Sequence, residues 1–342
     1  MYKVKSKMFN FLKSEIIPQK QLNISNRVVR VDFIKILSAF LVVFYHLAFN
    51  KLDYGFTGLD AYYLPNFNRI FMSFAACSVP LFFMINGILM FTRHRKPTSI
   101  YIKAFKILFL TIIWEIADFP SWFFITLAIL YFLFPFFQFL WEKKRSLYIS
   151  IICLVLIFPF VYNYAVLVLK LLEVKTILGY NVQGLSVTGF MTMYSIAYFL
   201  GGNYLAQNKK FFKPIGSLLM IILGWVCLLF ECVCYTNLNN EVYDGVNASF
   251  PTIGAMLLAV GVYSLVQNIK FYAGITKIIA WLSDGILPIY VMHQLVKKVT
   301  RYYIPCNTLI GALFCTIITC LICILIGKII KKIPLLCALV KI

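Results

Sequence analysis

The sequence predicts an all-α fold: a polytopic membrane helical bundle of about ten transmembrane helices, with both termini cytoplasmic. Three observations carry this. Of the 342 residues, 62% are hydrophobic and 13% charged, more apolar surface than a soluble domain of this length can bury. The apolar residues gather in runs near the roughly 20 residues that cross a bilayer. The basic residues, which set a net charge of +20, lie between those runs rather than in one patch. Such a distribution fits topology, with the lipid bilayer as partner, and argues against nucleic acid.

Taken in order, the runs fall at about 32–50, 70–91, 102–118, 122–140, 147–169, 186–206, 215–236, 250–269, 277–299 and 308–330. Residues 1–30 hold seven Lys and Arg without a continuous apolar core, so they are expected to form a basic cytoplasmic tail, not a cleaved signal. Residues 31–332 then make one ten-helix domain, and 333–342 a short C-terminal tail. The third run is the shortest; Trp114, Glu115 and Asp118 mark its end, and Pro120-Ser-Trp122 turns directly into the fourth. With the N-terminus inside, 24 Lys and Arg fall on the cytoplasmic side and seven outside, with Lys35 in the first span. That bias orients the bundle. No internal repeat is visible, and no loop leaves room for a soluble domain of about 50 residues.

The first span carries three ionisable residues, Asp32, Lys35 and His46. At about 100° per residue, Lys35 and His46 lie about 20° apart and Asp32 about 60° from Lys35, so all three share one face. Lys35 and His46 are roughly 16 Å apart along the axis. Ionisable groups inside a span face a bundle interior or wet cavity and mark a functional path, although a snorkelling lysine and a backbone-satisfied histidine would look the same.

His293, about 16 residues into the ninth span, should reach a depth similar to His46, and two imidazoles at one level suit proton handling. On a straight helix Lys277 would lie about 120° from His293 and Asp284 about 180°. His94 sits between Arg93 and Arg95 and reads as solvated surface. Lys103 and Lys106 share a face at the cytoplasmic start of the third span. They are either ordinary topological anchors or, beside Lys35, a basic mouth for a phosphorylated ligand. Glu115 and Asp118, at its outer end, are either sugar-binding or interfacial carboxylates. Cys232-x-Cys234 and Cys320-x-x-Cys323 lack the companion ligands of a zinc site, so no metal is expected.

Several of these runs resemble one family. Val-Asp32-Phe-Ile-Lys35 to Tyr-His46 is similar to the opening helix of the acyltransferase-3 family, which carries an arginine, ten residues and a histidine. Pro80-Leu-Phe-Phe-Met-Ile-Asn86-Gly87 resembles its second-span pattern, which usually ends Ser-Gly. Lys103-Ala-Phe-Lys106 falls where the family has two arginines three apart. Trp122-Phe-Phe with Leu130-Tyr131 and Pro135 is similar to a Trp-Phe-Leu…Tyr-Leu…Pro signature, and Pro288-Ile-Tyr290-Val-Met-His293 to a late Leu-Tyr-Leu-x-His run. All three family arginines are lysines here, which keep the charge but lose the bidentate fork.

The resemblance implies a membrane O-acyltransferase that moves an acyl group, usually acetyl, from cytoplasmic acyl-CoA to a hydroxyl of a cell-surface or lipid-linked glycan. It implies a multi-pass protein of the bacterial plasma membrane with acetyl-CoA as co-substrate and no resident cofactor. Lys35, Lys103 and Lys106 would hold the donor. His46 would act as general base, with Asp32 and His293 beside it, and an acyl-histidine route is an alternative. Asn86, Tyr45 and Tyr290 are candidate oxyanion donors. Asn86, Glu115, Asp118, Trp122 and Tyr290 are the expected substrate contacts. The rival readings are a proton-coupled transporter or flippase, against which stands the lack of a visible repeat or broken-helix pair, and a scaffold for glycan assembly.

Overall fold

The computed structural model describes residues 26–48, 71–92, 94–115, 122–177, 180–182, 193–208, 212–239, 252–334 and 336–340. The described part is almost entirely helical, as expected. The helices are α1 (Asn26–Ala48), α2 (Ser78–Phe91, entered through a 3-10 turn at Phe74–Cys77), α3 (Pro97–Glu115) and α4 (Trp122–Lys143). Next come α5 (Arg145–Leu156), α6 (Tyr162–Leu171), α7 (Met193–Gln207), α8 (Pro214–Asn239) and α9 (Ile253–Asn268). The chain closes with α10 (Ala273–Ser283), α11 (Ile286–Tyr303), α12 (Leu309–Lys332) and a 3-10 turn at Cys337–Val340. Thr176–Ile177 and Tyr180–Asn181 pair antiparallel as a two-residue hairpin between α6 and α7.

Six of the described helices are each long and apolar enough to cross a membrane, and the bent pair α10–α11 makes a seventh. The other expected spans are a broken helix, α5–α6, and two shorter ones, α7 and α9. Pro159 has no N–H to donate, and between α5 and α6 the backbone widens into a π-helical turn at Ile157–Val161. The third span begins earlier than expected, at Pro97, because a proline is well tolerated in a first turn. Much of the tail expected at 1–30, and Asp118, lie outside the described residues.

The ninth span departs most from expectation. It is not one straight helix over 277–299 but two, bent by 58° at Asp284–Gly285. Pro288 supplies the reason: it cannot donate to the carbonyl four residues back, that of Asp284. The freed carbonyl accepts instead from Lys331 Nζ of α12, at 2.6 Å. A broken helix pair is thus present, contrary to the expectation from sequence, and its absence no longer stands against a transporter.

α1 and α2 form the middle of the bundle. α1 packs against α2, α9, α10, α11 and α12, with Ile34, Ala39, Phe44 and Leu47 fully buried. α2 and α7 meet backbone to backbone: a Cβ on Gly87 would lie 1.9 Å from Phe199 O, and one on Gly202 2.4 Å from Met84 O. Small residues permit this close approach in a membrane, where packing rather than hydrophobicity holds helices together. Apolar side chains point outward on α3 (Phe105, Phe109, Ile112) and α8 (Leu219, Ile222, Val226), the reverse of a soluble protein.

Candidate active site

A cavity of about 420 Å³ opens where α1, α2, α3, α4 and the α10–α11 bend converge. That volume lies within the roughly 300–1,000 Å³ of ordinary ligand sites. Its lining includes three lysines, Lys35 of α1, Lys103 of α3 and Lys331 of α12, and one acidic residue, Asp284. Lys35 Nζ also bonds Asp32 Oδ1 at 2.9 Å, one turn back on α1. Lys103 Nζ stands over the ring of Tyr131, 5.4 Å from its centre, and feels the positive charges of Arg95, Lys35 and Lys106. An excess of cations in a partly enclosed site attracts an anion.

The polar and aromatic walls are rigid. Tyr131 OH donates to Asn86 Oδ1 at 3.0 Å, and Asn86 Nδ2 donates to Phe82 O at 2.8 Å, so the amide is held from both sides. Phe82, Phe123 and Phe124 surround Tyr290, with ring centres 4.5, 5.2 and 6.2 Å from it. The Tyr290 hydroxyl is buried and has no hydrogen-bond partner among the described residues. One turn further along α11 stands His293.

His293 and His46 meet ring to ring, their centroids 5.2 Å apart and their planes inclined by 31°. His293 Nδ1 sits 2.8 Å from Tyr290 O and 3.0 Å from Ile289 O. Both neighbours are acceptors, so Nδ1 must carry the proton and Nε2 presents a lone pair. That Nε2 is buried without a partner among the described residues. His46 is half-buried, whereas His293 is buried. Arg301 of α11 fixes the two helices together. Its Nη2 donates to His46 O at 2.9 Å and also to Leu47 O, to which Nε donates at 3.2 Å. A cation at the C-terminal end of the described α1 also suits the helix dipole.

A family model described as an acyltransferase domain, Acyl_transf_3, matches residues 28–117 and 99–328. The chain belongs to the acyltransferase-3 family. It is therefore a multi-pass membrane acyltransferase. No curated protein and no solved structure matches it.

Against the family-based expectations for this acyltransferase, the cavity gathers Lys35, Lys103, Asn86 and Tyr290. Asp32 joins it through Lys35, while His46 and His293 pair with each other just beyond Tyr290. Lys106 is exposed and does not line the cavity, which α3 meets through Lys103 and Ile107. Glu115 and Trp122 are exposed at the ends of α3 and α4 and do not line the cavity, although the Trp122 ring lies beside that of Phe123, which does. His94 is a surface group, hydrogen-bonded to Glu142 and Gln138. Asp284 was placed opposite His293 by straight-helix geometry; the bend at Gly285 puts it instead in the same lining as Tyr290.

Three participants escaped the sequence reading. Lys331 looked like one of several basic residues at the end of the last span. Asp284 and Arg301 carried no motif. Gly285 and Pro288, three residues apart inside an apolar run, were the available signal for the bend that recruits Lys331.

Proposed function

We propose that this membrane acyltransferase takes its acyl group, acetyl in the first instance, from acyl-CoA bound at the basic mouth and delivers it to a hydroxyl of a glycan. The observation that carries the reading is that Tyr290 lines the cation-bearing cavity and stands one turn from His293, whose ring meets that of His46. Lys35, Lys103 and Lys331 bind the nucleotide phosphates, and the thioester arm runs inward along Asn86 and the aromatic wall. His46, the half-buried imidazole, takes the proton of the acceptor hydroxyl as its oxygen attacks the thioester carbon. The Tyr290 hydroxyl donates to the carbonyl oxygen as negative charge develops there. The C–S bond then breaks, and the imidazolium returns its proton to the departing thiolate. His293, with Nε2 bare, accepts a hydrogen bond from the acceptor and positions it. The glycan nature of the acceptor rests on the resemblance of the motifs.

Purified protein incubated with radiolabelled acetyl-CoA and a lipid-linked glycan pool tests this. Transfer of label, lost in His46→Ala, is the expected result. A transporter, which the broken ninth span would suit, transfers no label in that assay.

A further inference from the structure

Two more cavities lie on the side of the bundle away from Lys35, one above the other. The first, about 320 Å³, is at the basic face, among Arg30 of α1, Asn208 after α7, and Ser264, Gln267 and Asn268 of α9. Arg30 stands about 140° around α1 from Lys35, so it belongs to a different site. Its lining offers a guanidinium, amides and a hydroxyl, and no carboxylate. Arg30 Nε donates to Ile269 O at 3.0 Å, which anchors the guanidinium and leaves its Nη fork for an anion. Exposed Lys213 follows the lining residue Phe212, and exposed Lys270 comes two residues after the lining residue Asn268.

The second cavity, also about 320 Å³, is an apolar groove between α5, α7 and α9, walled by Ile152 and Leu156, Gly201, and Met256 and Val260. Leu205 lines both cavities. Along α7 and α9 alike the apolar lining comes first and the polar lining second, approaching the basic face. Gly201 and Gly202 show which side is open. A Cβ on Gly202 would strike the backbone of Met84, whereas one on Gly201 meets nothing within 4 Å. Cys153 and Ile149, on the other wall, are exposed toward the lipid side.

We infer that this pair of cavities binds an anionic phospholipid of the leaflet adjoining the basic face. Its phosphate sits on Arg30 and one acyl chain fills the groove at Gly201. A free anion would use only the first cavity, and hydrocarbon alone only the second. The juxtaposition at the matching depth selects a molecule with both parts, and Lys213 and Lys270 favour a net negative headgroup. This site is independent of the donor cavity and of the reading of the acceptor.

The test uses the full chain in nanodiscs, with phosphatidylglycerol or phosphatidylcholine carrying a photoreactive diazirine in the acyl chain. Phosphatidylglycerol should label peptides spanning 149–156 and 197–205 several-fold more than phosphatidylcholine does. Arg30→Gln should remove that preference. Gly201→Phe should remove the groove labelling of both lipids while the label on the outward face of α3 stays constant. Because a Cβ at 201 meets nothing, that variant is expected to fold; Cys153→Trp fills the groove from the opposite wall as a second variant. Equal labelling by the two lipids, or labelling untouched by Arg30→Gln or by both groove-filling variants, overturns the proposal. So does competition by inorganic phosphate as effective as that by phosphatidylglycerol.

Discussion

At its basic-face end α1 carries a cation whose bonding is met: Lys35 holds Asp32 at 2.9 Å and opens on a cavity of about 420 Å³. Eleven residues further on, His46 lies against His293 with ring centroids 5.2 Å apart, and His293 Nε2 has no partner among the described residues. The first end is polar, where the Lys35 side chain is satisfied by a carboxylate and an open cavity. The second end is a ring-to-ring histidine pair with one nitrogen left bare among the described residues, an arrangement suited to moving a proton. Charge stays where binding is needed, and an uncommitted lone pair stays where a proton must move. Besides α1, the two ends are linked by α11, on which Tyr290 of the cavity lining stands one turn from His293.

The sharpest way to break this comparison is to remove one imidazole at a time. His46→Ala should lower kcat by roughly 10²–10⁴-fold, the usual scale for a general base, with the KM for donor little changed. His293→Gln should leave measurable turnover and raise chiefly the KM for acceptor. Initial rates at equal membrane insertion decide it. A nearly normal His46→Ala beside an inactive His293→Gln would exchange the two roles.

Arg301 gives the next largest effect, because it holds the histidine end together without touching the lysine end. Arg301→Gln removes a charged donor from His46 O and Leu47 O, and hydrogen bonds to charged groups are worth about 1.5–3 kcal/mol. The Tm in detergent should fall by several degrees and kcat about tenfold, while donor Kd stays constant. Arg301→Lys should recover part of the Tm and part of kcat. A lowered Tm with kcat unchanged would make the clamp purely structural.

The two ends were not equally legible in the sequence. Helical spacing puts Lys35 on one face with His46, because it rests on the regular rise of one helix, and the depth count that puts His46 level with His293 agrees with their ring contact even though it crosses the bend. The lysine end needed more. Lys331 reaches the cavity from 47 positions beyond Asp284, through a carbonyl that Pro288 released. Contacts of that kind depend on where a helix bends, and the 58° turn cancels the angular arithmetic applied across it. Lys103 and Lys106 show the reverse limit. Their spacing resembles the family pair, but only Lys103 points inward, since the choice of face is made by α4 packing on α3.

The smallest predicted effect separates the cations that face the cavity from the one that does not. Lys331 has two roles, holding the Asp284 carbonyl at 2.6 Å and adding charge to the mouth. Lys331→Gln retains a donor for the carbonyl and loses only the charge, whereas Lys331→Met loses both. A single ammonium in a partly solvated mouth contributes about 0.5–1 kcal/mol, so Lys331→Gln should raise the KM for acyl-CoA about two- to fivefold with kcat held. Lys331→Met should raise it further and also lower the Tm, as the freed carbonyl loosens the bend. Lys106→Gln, on the outward side of α3, should change neither constant. Measured at two ionic strengths, the Lys331→Gln effect should shrink with added salt, as a charge contact at the rim must. Equal KM increases for Lys106→Gln and Lys331→Gln would mean that the mouth acts through its long-range field, and that the inward and outward faces of α3 serve the donor alike.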